Sequence, residues 1–163
     1  VLEAVFEEES HRKVHASATA FAPELEKTRA SGKKVVFTNG CFDILHPGHI
    51  HLLKESKKLG NKLIVGLNSD ESIRRIKGPS RPILPQDQRK KMIEALGIAD
   101  EVIIFDEDSP RQLMMKLKPD IITKGGDYKV RDVVGSDSFK TVIIPTLENY
   151  STTGVINEIV RKN

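Results

Sequence analysis

Thr38-Asn39-Gly40-Cys41-Phe42-Asp43-Ile44-Leu45-His46-Pro47-Gly48-His49-Ile50 is the stretch on which the reading of this chain turns. It follows the apolar, β-branched segment Val35-Val36-Phe37 and leads into an amphipathic pattern, so it lies on a strand-to-helix turn. Pro47 suits a first helical turn, because the N–H it lacks is not needed there and its φ is already near helical. His46 and His49 lie three positions apart, so they project from neighbouring positions at the positive end of that helix. Gly48 between them carries no side chain to hold a large anion off the backbone. Two imidazoles, a bare glycine and free helix N–H groups converging on one point make a phosphate site. Singly, His46 reads as a helix cap and His49 as a half-buried histidine. The glycine turn at Gly40 and the strand–turn–helix context weigh for the anion site.

Outward from this turn the chain alternates. Strands are expected at Val35–Thr38, Leu63–Leu67, Val102–Phe105, Ile121–Lys124 and Val142–Pro145. Helices are expected near Pro47–Leu59, Glu71–Ile76, Pro85–Leu96, Pro110–Leu117 and Thr152–Arg161. That order implies βαβ crossovers and the α/β class: a doubly wound, Rossmann-like sheet of about five parallel strands, covered on both faces. In such folds ligands bind beyond the carboxyl ends of the strands, where strand order reverses. Residues 1–32 read as an N-terminal extension ahead of a domain at 33–163. The extension carries Glu7-Glu8-Glu9 and His11-Arg12-Lys13, then a helix expected around Pro23 to Ala30, anchored by Leu25 and stopped at Ser31-Gly32.

With 163 residues and 38% apolar content the chain can bury a real core. Its 26 basic and 23 acidic residues leave a net charge of +3, which argues against a nucleic-acid-coating protein. The single cysteine, Cys41, excludes an internal disulfide and fits a reducing compartment. No apolar run approaches a membrane span, and no charged-then-apolar segment opens the chain. A soluble, cytoplasmic protein with no membrane partner is expected. No Cys/His cluster has zinc spacing, so no metal site is expected in the protein itself.

Other polar groups gather after the strands. Ser151-Thr152-Thr153 precede the apolar-periodic Val155, Ile156, Ile159 and Val160, as N-cap residues do. Lys77-Gly78-Pro79-Ser80-Arg81-Pro82 is a basic loop marked by glycine and proline. Lys124-Gly125-Gly126-Asp127-Tyr128 ends the fourth strand, its glycines permitting a close approach or simply a turn. Asp70 reads either as a ligand contact or as the cap of the helix that follows. Thr38 reads equally as a hydroxyl donor and as a β-branched strand residue.

His46-Pro47-Gly48-His49 matches the His-x-Gly-His signature, and over residues 33–160 the chain resembles the nucleotidyltransferase superfamily. With Val65-Gly66-Leu67-Asn68-Ser69-Asp70, Lys124-Gly125-Gly126-Asp127-Tyr128 and Ser151-Thr152-Thr153, it is similar to one branch. That branch makes ADP-heptose from heptose 1-phosphate and ATP for lipopolysaccharide synthesis. The length leaves no room for the sugar kinase to which that activity is often fused, so the stand-alone form is expected.

The resemblance implies attack by a sugar-phosphate oxygen on the α-phosphorus of ATP, with pyrophosphate leaving and Mg²⁺ arriving on the triphosphate. It implies that His46, His49 and Lys77 are catalytic. It assigns Thr38, Asn39, Gly40, Cys41, Phe42, Gly48, Lys124, Gly126, Asp127, Ser151, Thr152 and Thr153 to the nucleotide. Asp43, Asn68, Asp70, Arg81 and Arg89 fall to the acceptor side; Asp43 there reads as orienting backbone or water, and Arg89 as holding the acceptor phosphate. A homo-oligomer, dimer or higher, is expected. A catalytic thiol at Cys41 finds no covalent step to serve. Cytidylyltransferase relatives carry Arg-Thr-x-Gly-Ile-Ser-Thr before the last helix. Here Thr146-Leu147-Glu148-Asn149-Tyr150-Ser151-Thr152 lacks that arginine and glycine, and Gly154 stands where a basic residue often follows. The departure favours ATP over CTP; the alternative is a cytidylyltransferase acting on a small phosphorylated alcohol such as glycerol 3-phosphate.

Overall fold

Alternate residues of each strand enter opposite cores, which is what a sheet buried on both faces requires. Val35, Phe37, Ile64, Ile103, Phe105 and Ile122 point into one core. Val36, Leu63, Val65, Leu67, Val102 and Ile121 point into the other. The computed structural model describes residues 19–163. Its strands are β1 (Val35–Gly40), β2 (Lys62–Asn68), β3 (Glu101–Phe105), β4 (Ile121–Gly125) and β5 (Lys140–Ile144). All pair in parallel, in the order β3-β2-β1-β4-β5. The helices are α1 (residues 19–30), α2 (Pro47–Lys58), α3 (Asp70–Lys77), α4 (Gln86–Ala95), α5 (Arg111–Leu117) and α6 (Thr152–Lys162). A 3-10 turn at Val130–Asp132, absent from the sequence reading, lies before β5. No helix among the described residues is long and apolar enough to cross a membrane.

Strand order reverses between β1 and β4, and the two pair only over Val36–Thr38 and Ile121–Thr123. Beyond that rung they part and open a crevice at their carboxyl ends, the place where open α/β sheets bind ligands. Its floor is sealed by hydroxyls: Thr38 Oγ1 donates to the Thr123 carbonyl at 3.2 Å, and Thr123 Oγ1 lies 2.7 Å from Ser56 Oγ. Thr38 is fully buried. The expectation that its hydroxyl serves the nucleotide is therefore corrected: the group is spent below the crevice.

The region assigned to an extension also changes character. Charged residues 7–13 lie outside the described residues, but α1 packs onto the domain. Leu25 is fully buried in the core shared with Leu113, Met114 and Leu117 of α5, and Phe21 packs against it. Arg29 donates to the carbonyls of Leu117 and Lys118 at 3.2 and 3.1 Å, satisfying acceptors that the end of α5 leaves open. Leu25→Ala should therefore lower unfolding stability by about 3 kcal/mol, read as a shift in the urea midpoint. An unchanged midpoint would show that α1 adds nothing to the fold.

Candidate active site

Between β1 and α2 the chain takes a strained path. Phe42 and Ile44 both adopt positive φ, at 48° and 51°, which a β-branched residue such as isoleucine rarely accepts. Strain of about 1–3 kcal/mol per residue persists only where the surroundings over-determine the backbone. Here they do. Phe42 is buried with its ring 5.3 Å from that of His49. Between the two strained residues, Asp43 is held on both its side chain and its carbonyl. Its carboxylate accepts from the amides of Ile83 and Leu84 at 2.8 and 3.0 Å and from Arg81 Nε at 3.1 Å. Its carbonyl accepts from Thr152 Oγ1 at 2.7 Å. Burial alone would raise the Asp43 pKa, but the two amides and the Arg81 guanidinium outweigh it and hold the carboxyl below its usual range. A buried, ionised Asp43 thus joins the turn, the 78–85 loop and the start of α6.

The turn delivers two histidines to the first turn of α2. Gly48 N donates to His46 Nδ1 at 3.1 Å, and His46 N donates to His49 Nδ1 at 3.4 Å, so the imidazoles form a reciprocal capping box. The rings stack with centroids 3.8 Å apart. A ring nitrogen that accepts an N–H carries no proton itself, so each neutral imidazole keeps its proton on Nε2. Burial lowers the pKa of His46. Burial, then the charges of His46 and Lys77, push His49 down to about 4, with Asp43 opposing. At neutral pH both rings are uncharged Nε2–H donors. Gly48 has a steric duty beyond the one expected of it: a Cβ there would lie 2.9 Å from Cε1 of His46, so glycine makes room for the imidazole.

Two lobes of the crevice meet at His49, and His46 lines the first of them. The first, about 290 Å³, is lined by His46, Gly48, His49, Arg81 and Ser151–Thr153, with Leu52, Ile144, Pro145 and Tyr150 as its apolar wall. The second, about 520 Å³, is lined by Asn39, Gly40, Cys41, Phe42, Asn68, Lys124 and Tyr128. His49, Leu52, Lys77 and Gly125 line both. Lys77 ends α3 and makes no ion pair among the described residues. Burial lowers the Lys124 pKa, Cys41 opposing and Lys77 adding to the fall; its ammonium sits 5.9 Å from the centre of the Tyr128 ring. At the start of α6, Ser151 Oγ accepts from Gly154 N at 3.0 Å. A side chain on Gly154 would press on that hydroxyl, its Cβ 3.0 Å away.

Several expected contacts are placed otherwise. Arg89 is 0% exposed, with hydrogen bonds to the carbonyls of Leu84, Cys41 and Asn68 at 2.9, 2.7 and 2.9 Å and to Asp70 Oδ1 at 2.7 Å. It is a buried tie under the second lobe, because three main-chain oxygens and a carboxylate compete for its donors. Asp70 is occupied by that guanidinium; Ser69 caps α3, its Oγ accepting from Ser72 N at 3.0 Å. Asn68 lines the second lobe but gives its amide to Ser72 Oγ at 3.0 Å. The Thr152 hydroxyl is committed to Asp43, and the Asp43 carboxylate faces protein donors only. Arg81 lines the histidine lobe alone, while Gly126 and Asp127 line neither lobe. The sequence reading missed His51, Leu52 and Tyr150, whose ring lies 6.5 Å from His46. Only the position of Tyr150, one residue before the cap of α6, hinted at it. Among the described residues no three His, Cys, Asp or Glu side chains gather as a metal site would need.

A family model described as cytidylyltransferase-like matches residues 37–158, from β1 into α6. The chain belongs to that family. It is 53% identical over 139 residues to the bifunctional protein HldE of Campylobacter concisus, covering 83% of this chain and 29% of that protein. It is 44% identical over 143 residues to HldE of Azotobacter vinelandii, covering 85% and 30%. This chain thus spans less than a third of the length of these curated relatives. Among solved structures, the lipopolysaccharide core biosynthesis protein from Thermoplasma volcanium aligns with a TM-score of 0.59 at 36% identity, over 74% of this chain and 100% of that one.

The depressed pKa of His49 carries a stability consequence. Above its unfolded value of 6.5 both states hold the neutral ring; between 6.5 and about 4 only the unfolded state takes the proton. Stability should fall as pH drops through that window and level off below it. Urea midpoints of His49→Asn should lose this part of the acid dependence. An identical pH profile in wild type and variant would show that the ring is not held neutral.

Proposed function

We propose that this chain transfers AMP from ATP to heptose 1-phosphate, giving ADP-heptose and pyrophosphate for lipopolysaccharide core synthesis. One observation carries the reading: two preset Nε2–H donors line a lobe with an apolar wall, and one of them, His49, also lines the cationic second lobe. The likeness to one share of a bifunctional protein, and to a lipopolysaccharide core biosynthesis protein, supports it. The base rests on Leu52, Ile144, Pro145 and Tyr150 in the first lobe, with the triphosphate running toward the α6 N-terminus. The sugar phosphate occupies the second lobe, drawn by Lys77 and Lys124. In this reading Asn39, Gly40, Cys41, Phe42 and Lys124, which the resemblance assigns to the nucleotide, face the acceptor instead. An acceptor phosphate oxygen attacks the α-phosphorus as the bond to the bridging oxygen of the β-phosphate breaks, and pyrophosphate departs.

No protein nucleophile is needed. Catalysis comes from holding two polyanions in line and from donors aimed at charge that grows in the transition state. Neutral imidazoles suit this role, since they donate without the desolvation cost of a buried cation. Mg²⁺ enters with ATP, keeping most of its waters.

The test is incubation with MgATP or MgCTP and a panel of sugar 1-phosphates and glycerol 3-phosphate, with product masses read directly. ADP-heptose is expected. His46→Ala and His49→Ala should each lower turnover by about 100-fold or more, as loss of one donor to a developing oxyanion does, with the fold retained by circular dichroism. Product from CTP and glycerol 3-phosphate alone, or full activity without either histidine, would contradict the proposal.

A further inference from the structure

Arg81 is a cation aimed from behind. Its Nε donates to the buried Asp43 carboxylate, and no other side-chain bond engages its guanidinium among the described residues. Its side chain is only 13% exposed, yet among the described residues no buried side-chain nitrogen or oxygen lacks a partner. The two terminal nitrogens therefore open to solvent, and the residue lines the histidine lobe and not the second. With Nε fixed, the plane of the guanidinium is fixed, leaving four N–H donors in fork geometry toward the cleft. His46, His49 and Thr153 line that same lobe, and Lys77 lies between the two. The carboxylate that anchors Arg81 also accepts the amides of Ile83 and Leu84, so the loop cannot carry the fork away without breaking three bonds.

We infer that Arg81 binds the departing pyrophosphate, its fork spanning oxygens of the β- and γ-phosphates, and that Asp43 is its positioning residue. This rests on the nucleotidyl-transfer reading above and assigns Arg81 to the leaving group instead of the acceptor. As the α–β bridge bond breaks, negative charge moves onto the pyrophosphate, and a fork already in place receives it without reorganisation. Asp43 offsets the positive charge of Arg81, which lowers the cost of holding the largely buried guanidinium beside the lobe before an anion arrives. Lysine at this position would keep the charge but lose both the fork and the Nε anchor.

Calorimetry with pyrophosphate alone, on wild type, Arg81→Lys and Arg81→Ala, separates this inference from the reading it rests on. Wild type should bind pyrophosphate, and both variants should bind it about tenfold or more weakly. In the reverse reaction the KM for pyrophosphate should rise in parallel, while the forward KM for the sugar 1-phosphate stays within about twofold. Added guanidinium should restore part of the turnover of Arg81→Ala, which a merely structural loss would not allow. Unchanged pyrophosphate affinity in the variants, or a raised sugar-phosphate KM with pyrophosphate unaffected, overturns the inference while sparing the reaction. Failure of wild type to bind either pyrophosphate or MgATP overturns the reaction, and the inference with it.

Discussion

The first turn of α2 is closed by imidazole nitrogens in place of the usual side-chain oxygens, and the cleft depends on that substitution. A helix start has N–H groups without partners. By accepting two of them, His46 and His49 satisfy the backbone and lock their own rings and protonation states. The cap and the anion site are thus one object. An aspartate cap would satisfy the same N–H groups but would offer a ligand a negative charge and no donor.

Around that cap, buried charge does the holding. Asp43 and Arg89 each use nearly all their hydrogen-bonding capacity on segments far apart in the chain: the turn after β1, the 78–85 loop, the start of α6, the end of β2 and the start of α3. Desolvating such groups is costly, and a buried ion pair seldom repays the cost in stability alone. What the arrangement secures is geometry. Two strained residues at the turn stay strained, and the loop bearing Arg81, which follows Lys77 at the end of α3, is fastened to the segment that presents the histidines.

The sheet and its crevice were legible from sequence because β-branched triplets recur at βαβ spacing and the polar motifs follow them. Strand ends moved by one or two residues, as with β5, which begins at Lys140. The roles of individual side chains were less legible. Arg89 stands in the run Gln88-Arg89-Lys90-Lys91, which reads as a solvated helix face. Its burial depends on carbonyls as far away as Cys41, 48 positions earlier, and no local pattern encodes that. Thr38 and Thr152 are polar residues beside a phosphate motif, yet both hydroxyls answer backbone acceptors brought near only by the fold. Leu25 was visible as an anchor, but that it joins the domain core follows from packing on α5.

The claim beneath all of this is that both imidazoles are neutral Nε2–H donors, preset by the backbone before any nucleotide arrives. Nitrogen-15 NMR of the two rings at neutral pH, without and then with a non-hydrolysable ATP analogue, reads it directly. Both rings should show protonated Nε2 and bare Nδ1 in the free protein, with the Nε2 signals alone moving strongly when the analogue binds. Protons on Nδ1, charged rings in the free protein, or Nε2 signals indifferent to nucleotide would contradict the account.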